Sequence, residues 1–323
     1  MQARLLGSTD LRVSTFAMGC NKLGSIAARQ TERSAVRLVH AAVDAGIQLF
    51  DTADSYGAGS SEKVLGRALR GNSSAIVATK VGYRYTERAR GTRLALAALT
   101  EAWSALPGQR SRSSTYVAKE FSPSYVRAAV DASLSRLRRE RIDLLQFHGP
   151  PPAESSDLPM IVSELLAAGK VRYFGVGCET LASAESWARV AGVSAIQLPF
   201  GILDPAPAGQ LIPEMRRAGL GVLARGILGG GIIARYLRGQ DAGIEDARVR
   251  RLERLRALGS ARSVDIAQLA VWYAQYGADV DVLVIGISNE SQLQATSRFA
   301  AAGRPDNALL AELQAIAADR LTS

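Results

Sequence analysis

The chain has 323 residues, long for one ordinary domain and normal for an α/β barrel of roughly 250 residues with insertions. Apolar residues at 47% supply a large core, and charged residues at 21% exclude a disordered chain. The net charge of +9 raises the question of nucleic acid. The arginines concentrate in two segments, 84–112 and 235–256, with no zinc-finger spacing or aromatic RNA-binding signature, so no nucleic-acid partner is expected. No run of about 18 apolar residues is present, which argues against a membrane span. The opening residues lack a long apolar stretch before a small-residue cleavage site, so no secretory signal is expected. Cys20 and Cys178 form neither a disulfide framework nor a Cys-x-x-Cys pair. A cytoplasmic protein is the simplest expectation.

In chain order, residues 4–14 place apolar residues on both sides of a Ser-Thr-Asp turn and predict a hairpin plugging the floor of the fold. Residues 13–20 are a short apolar strand, and 31–46 have helical spacing with Gly46 as the stop. Strands are then predicted at 47–51, 75–81, 142–147, 171–177, 193–200, 222–224 and 280–287. Helices are predicted at 61–70, 122–139, 157–169, 183–191, 210–219, 266–276 and 291–299, with a terminal helix at 307–319. Roughly eight near-continuously apolar strands, each followed by a helix, are what a closed parallel (β/α)8 TIM barrel requires. An open doubly wound sheet is the alternative. Its dinucleotide-binding form is weakened because no Gly-x-Gly-x-x-Gly follows the first strand.

The whole chain, 1–323, therefore reads as a single barrel domain with two departures from the repeat. Residues 82–119 follow the third strand and are too long for a plain connection. They hold a predicted short helix at 94–106. Residues 228–263 follow the seventh strand and open on Gly229, Gly230 and Gly231. Both insertions lie on the side of the strand C-termini, where barrel enzymes carry chemistry.

Three polar residues end apolar strands: Asp51 the second, Lys80 the third and His148 the fourth. Alone, Asp51 reads best as a helix N-cap. Together the three converge on the barrel axis, and burying them unpaired would cost several kcal/mol, so they are expected to satisfy one another. Tyr56, five residues past Asp51, can fold back over the same mouth. A phenol with a reference pKa near 10 is a poor acid at neutral pH unless an ammonium stabilises its anion, and a hydrogen-bonded imidazole helps the proton move. This is a proton-relay constellation. With only His40 and His148 in the chain, a metal site is not expected.

These residues resemble the aldo-keto reductase superfamily. The resemblance is carried by residues 50–57 (Phe-Asp-Thr-Ala-Asp-Ser-Tyr-Gly) with Ser61, Glu62, Leu65 and Gly66, by 78–80 (Ala-Thr-Lys), by 141–148 (Arg-Ile-Asp-Leu-Leu-Gln-Phe-His) and by 175–177 (Gly-Val-Gly). It covers nearly the whole chain. It implies a (β/α)8 barrel that reduces an aldehyde or ketone with NADPH, or runs the reverse oxidation. Tyr56 would be the general acid, Lys80 its pKa partner, Asp51 the partner of the lysine, and His148 the substrate-orienting residue. A non-enzymatic NADP-binding regulatory or partner subunit is the competing class.

For the cofactor, the resemblance puts Gly177 and Cys178 where the family has a Ser-Asn pair holding the nicotinamide carboxamide. Glycine has no side chain and a thiol donates weakly, so that contact is altered. Gln197 matches a third carboxamide ligand and equally fits a buried structural amide. Arg225 stands at the ring-stacking position, and Gly229 and Gly231 fit the loop over the pyrophosphate. Gly286, Ser288 and Gln292 resemble an adenosine-binding pattern, although Ser288 and Asn289 also read as a helix cap. NADPH is favoured with NAD as the alternative, since the usual lysine and arginine for the 2′-phosphate are absent and Arg298 is left to supply charge. The expected substrate is a small carbonyl or sugar-like molecule, and an anionic one if the arginines of 82–119 fold over the mouth. Tyr83 and Tyr85 offer a ring-stacking wall. Oligomeric state is not legible.

Overall fold

The computed structural model describes residues 1–24, 30–84, 118–150, 153 and 158–318. The chain enters through a hairpin of two antiparallel strands, β1 (Ala3–Leu5) and β2 (Arg12–Ser14), with Ala3 opposite Ser14. Eight parallel strands then close into a barrel: β3 (Phe16–Gly19), β4 (Leu49–Asp51), β5 (Ile76–Val81), β8 (Ile142–His148), β9 (Val171–Gly177), β10 (Val193–Pro199), β11 (Gly221–Arg225) and β12 (Val282–Gly286). Between β5 and β8, β6 (Tyr83–Arg84) and β7 (Ala118–Lys119) pair antiparallel at the base of the long insertion.

Helices cover the outside: α1 (Glu32–Asp44), α2 (Ser60–Ala68), α3 (Pro123–Leu137), α4 (Leu158–Ala167), α5 (Leu181–Trp187), α6 (Leu211–Arg217), α7 (Ile232–Leu237), α8 (Asp246–Arg262), α9 (Ile266–Tyr276), α10 (Glu290–Ala301) and α11 (Asn307–Ala318). Several starts are written locally. Thr31, Thr180, Asp265 and Asn289 each accept a backbone N–H from their own first turn. The main core lies between the outer strand faces and these helices, with Phe16, Phe50, Phe147, Phe174 and Trp187 fully buried.

The expected barrel and hairpin are both present. The run 13–20 divides: Val13 and Ser14 belong to the hairpin, and the barrel strand starts at Phe16 after a bend at Thr15. Residues 228–263 are more than a loop, since they carry α7 and α8. The helix expected at 94–106, and most of the insertion containing it, lie outside the described residues.

Inside the barrel a second, smaller cluster seals the floor. Leu6 and Leu11 of the hairpin turn pack with Ala17, Leu49, Leu144 and Leu223, which point inward from β3, β4, β8 and β11. Asp281, buried just before β12, latches this plug. Its Oδ2 accepts from Gly7 N at 3.3 Å, Val222 N at 2.9 Å and Arg216 Nη1 at 2.7 Å. Replacing it leaves those donors without an acceptor in a dry setting. Asp281→Ala is expected to lower the unfolding free energy by about 3 kcal/mol in urea titrations, with Asp281→Asn intermediate. Wild-type stability in Asp281→Ala would show that the latch is not needed.

Candidate active site

Side chains alternate along a strand, so the residue two positions beyond each floor residue points into the same interior one layer higher. Above Leu49 stands Asp51, above Ala78 stands Lys80, above Leu144 stands Gln146, above Ala195 stands Gln197, and above Leu223 stands Arg225. The floor is apolar and the next layer is polar. That layer lies at the C-terminal end of the strands.

Lys80 is the centre of it. Its Nζ donates to Asp51 Oδ1 at 2.6 Å and to the Thr52 carbonyl at 3.1 Å, and both side chains are almost wholly buried. Asp51 Oδ1 also accepts from Gln197 Nε2 at 2.9 Å and Gln146 Nε2 at 3.3 Å. Burial pushes the Lys80 pKa down, and the Asp51 carboxylate pulls it part of the way back.

Tyr56 is brought over this pair by a tight turn, Tyr56–Gly59, in which Gly57, Ala58 and Gly59 have φ of 56°, 54° and 81°. Glycine suits two of these left-handed positions, while Ala58 carries strain. Below the turn, buried Glu62 accepts from Thr79 Oγ1 and from Arg136 Nε, both at 2.6 Å. Lys80 Nζ is 5.5 Å from the centre of the Tyr56 ring. The His148 ring meets Tyr56 edge-on at 5.8 Å. Burial first, and then the charges of Lys80, Arg225 and Lys119, push the His148 pKa well below its ordinary value, so the imidazole is neutral.

The structure thus brings Asp51, Tyr56, Lys80 and His148 to one mouth. The other expected site residues divide. Gln197 is bonded to Asp51. Arg225 ends β11 half-buried, and its Nη2 donates to the Cys178 carbonyl at 3.0 Å. Cys178 differs from its expected place: its thiol is buried in the outer core, where burial pushes its pKa up to about 12, so its side chain offers a ligand nothing. Gly177 has only ordinary contacts around its missing side chain, with Phe147 O at 3.4 Å and Lys80 Cδ at 3.6 Å. Gly229, Gly230 and Gly231 have φ of 63°, 62° and 99°, and nothing lies within 4 Å of the Cβ positions of Gly230 and Gly231. Gly286 is nearly as open. Asn289 caps α10, and the Ser288 N–H and hydroxyl both donate to Gln292 Oε1, at 2.7 and 3.0 Å. His40 is exposed on α1 and bonds the Ala68 carbonyl.

Two participants escaped the sequence reading. Gln146 was findable, because it lies two residues before His148 in an apolar strand and therefore shares its face. Glu179 gave no signal. Its carboxylate accepts from Tyr83 Oη at 2.7 Å and from Lys119 Nζ at 2.9 Å, so Lys119 is paired rather than held out to an anionic substrate. One face of the Tyr83 ring is covered by the same ammonium, 5.7 Å from its centre. Tyr85 lies outside the described residues. Among the described residues no cluster of three or more His, Cys, Asp or Glu side chains is placed to hold a metal ion.

Comparison with known proteins gives the family and the fold. A family profile described as "Aldo/keto reductase family" matches residues 15–317. The uncharacterized oxidoreductase YqkF of Bacillus subtilis (strain 168) is 27% identical over 235 residues, 72% of this chain and 67% of that protein. L-galactose dehydrogenase of Arabidopsis thaliana is 27% identical over a 340-residue alignment, covering 98% of this chain and 94% of that one. Among solved structures, aldo-keto reductase AKR11C1 from Bacillus halodurans in its holo form superposes with a TM-score of 0.75 at 25% identity, covering 98% of this chain and 96% of that one. Glycerol dehydrogenase AKR11B4 from Gluconobacter oxydans gives 0.76 at 23% identity, covering 99% and 96%. The fold and the site define an oxidoreductase built on a (β/α)8 barrel. The chain belongs to the aldo/keto reductase family, whose members bind nicotinamide cofactors.

The buried ion pair has a pH signature. Without the Asp51 carboxylate, the Lys80 pKa falls further below its value in the unfolded chain. The unfolded state then binds more protons, so stability rises with pH and the penalty grows as pH falls. In urea titrations the stability gap between wild type and Asp51→Asn is expected to narrow from about pH 7 to about pH 10, by at most about 1.4 kcal/mol per unit. A gap independent of pH would mean that Lys80 is not held charged by Asp51.

Proposed function

We propose that this protein reduces an aldehyde or ketone to an alcohol, or catalyses the reverse oxidation, with the proton given and taken by Tyr56. The observation that carries this reading is the placement of Lys80 Nζ, bonded to Asp51 and 5.5 Å from the Tyr56 ring, beside a neutral His148. An ammonium at that distance stabilises negative charge as it develops on the phenolic oxygen. Asp51 keeps the ammonium charged. The neutral imidazole of His148 can donate a hydrogen bond to the carbonyl oxygen while Tyr56 transfers its proton there. The pair also serves the fold, but its ammonium set beside a tyrosine ring is what favours proton transfer over cofactor binding alone.

The residues present fit a nicotinamide dinucleotide. Gly230 and Gly231, with left-handed backbones and nothing within 4 Å of their Cβ positions, leave open space after the seventh strand where a pyrophosphate can approach the backbone closely. Arg225 offers its planar guanidinium beside the nicotinamide position, and the amide of Gln197 lies at the polar layer below. Gly286, Ser288 and Gln292 would meet the adenosine end. When bound in its reduced form, the cofactor supplies the hydride. NADPH is the proposed partner, with NADH as the alternative.

The proposed substrate is a small carbonyl or sugar-like molecule, or the matching alcohol. The relatives named for L-galactose and for glycerol support a polyhydroxylated compound. A cytoplasmic setting belongs to the same proposal. It is supported by two free, buried cysteines and by the lack, among the described residues, of a helix long and apolar enough to cross a membrane.

Tyr56→Phe tests the assignment of the acid. Its kcat for reduction of a generic aldehyde is expected to fall about 10²- to 10⁴-fold, the range of a general acid, while NADPH affinity by fluorescence titration stays near wild type. Wild-type turnover in Tyr56→Phe would remove the phenol from the mechanism.

A further inference from the structure

His148 Nδ1 is buried and has no hydrogen-bond partner among the described residues. A histidine that works on a substrate usually has its ring fixed by a hydrogen bond at its other nitrogen. Here orientation falls to packing instead. Among the described residues the closest ring to it is Tyr83, edge-on at 4.6 Å and 88°, compared with 5.8 Å for Tyr56.

Tyr83 is itself pinned at both ends. Its hydroxyl donates to Glu179 Oε1 at 2.7 Å, and its main-chain carbonyl accepts from Tyr125 Oη at 3.0 Å. Glu179 in turn is held by Lys119 Nζ, which also donates at 2.7 Å to the carbonyl of Gly149, the residue after His148. Burial works against the Glu179 charge, but the bonds from Lys119 and Tyr83 and the Arg225 charge hold its carboxyl below the ordinary value. An exposed ion pair of this kind contributes little stability by itself. Its geometric effect is larger, because it ties the end of β9 to the base of the insertion across the face of His148.

We infer that Glu179 is a positioning residue, which through the Tyr83 ring fixes the imidazole of His148 at the angle that carbonyl reduction needs. This role rests on the function proposed above. The substrate-side consequence is a fixed aromatic edge beside the reacting carbonyl, set by a carboxylate that never touches it.

Because the chain has only two histidines, ¹⁵N-imidazole NMR of the full-length protein resolves His148, with His40 as an internal reference. Wild type is expected to show one sharp set of His148 ring signals. Glu179→Gln and Tyr83→Leu should broaden or double that set and leave His40 unchanged. In parallel, kcat for aldehyde reduction with NADPH should fall roughly three- to tenfold, the range an aromatic edge contact is worth, with KM little changed. The Tyr83→Leu/Glu179→Gln double variant should be no worse than Tyr83→Leu, as residues acting in one chain require. Tyr83→Phe, which keeps the ring but severs its bond to Glu179, should match Glu179→Gln and fall short of Tyr83→Leu, and Lys119→Met should be milder than either.

Unchanged His148 signals in both Glu179→Gln and Tyr83→Leu would overturn the inference. So would a Lys119→Met variant that reproduces the Glu179→Gln defect while Tyr83→Leu shows none, since the effect would then be one of charge. If the His148 signals respond but wild type reduces no carbonyl compound, the functional reading fails and the positioning chain stands.

Discussion

An ion pair between Lys80 and Asp51, sealed inside a barrel whose floor is apolar, is the constraint on which this architecture turns. Two charges taken out of water cost more than their attraction returns unless the remaining hydrogen-bonding capacity is also met. Asp51 meets it by drawing donors from β5, β8 and β10 onto one oxygen. The same bonds specify register. A slip of one residue in any of those strands would turn its lysine or glutamine outward and leave the carboxylate short. The pair thus belongs at once to the fold and to the chemistry proposed for the mouth.

Around that centre the molecule spends strain and burial on placing rings. Ala58 in a left-handed conformation, between two glycines that adopt it freely, returns Tyr56 over Lys80. Buried Glu62 and partly buried Arg136 form a second ion pair beside the turn, with the Arg136 side chain against Gly59. Asp54, two residues before Tyr56, is pushed well above the usual carboxylate range, by burial and then by the Glu62 charge. The same burial that raises Asp54 makes its charged form costly beside the Glu62 carboxylate. On the far side, Tyr83 and Glu179 border His148. The mouth is a set of groups whose ionisation states are held apart by surroundings, which is the physical requirement for moving a proton at neutral pH.

Much of this was legible in the chain. Continuous apolar strands separated by periodic helices dictate a closed parallel barrel, and a polar residue at the end of such a strand has nowhere to go but the mouth. That logic located Asp51, Lys80 and His148, and period two along β8 would have added Gln146. It could not show which way a residue just past a strand end turns. Cys178 follows Gly177 into the outer core, while Glu179, one step further, swings back to the rim. Long-range pairs such as Glu179 with Tyr83, or Arg136 with Glu62, leave no local pattern, because each half is an ordinary surface charge or ring until the fold joins them. Gln197 fitted both a cofactor ligand and a structural amide, and its Nε2 is bonded to Asp51.

The most direct measurement is single-turnover hydride transfer, followed by nicotinamide absorbance after mixing NADPH-loaded protein with an aldehyde in water and in deuterium oxide. If Tyr56 gives the proton as the hydride arrives, the wild-type transfer should slow both with deuterated reduced nicotinamide and in deuterium oxide. The solvent effect should vanish in the residual transfer of Tyr56→Phe. No transfer to any aldehyde, ketone or sugar, or a solvent effect that survives unchanged in Tyr56→Phe, would contradict the chemistry assigned to this mouth.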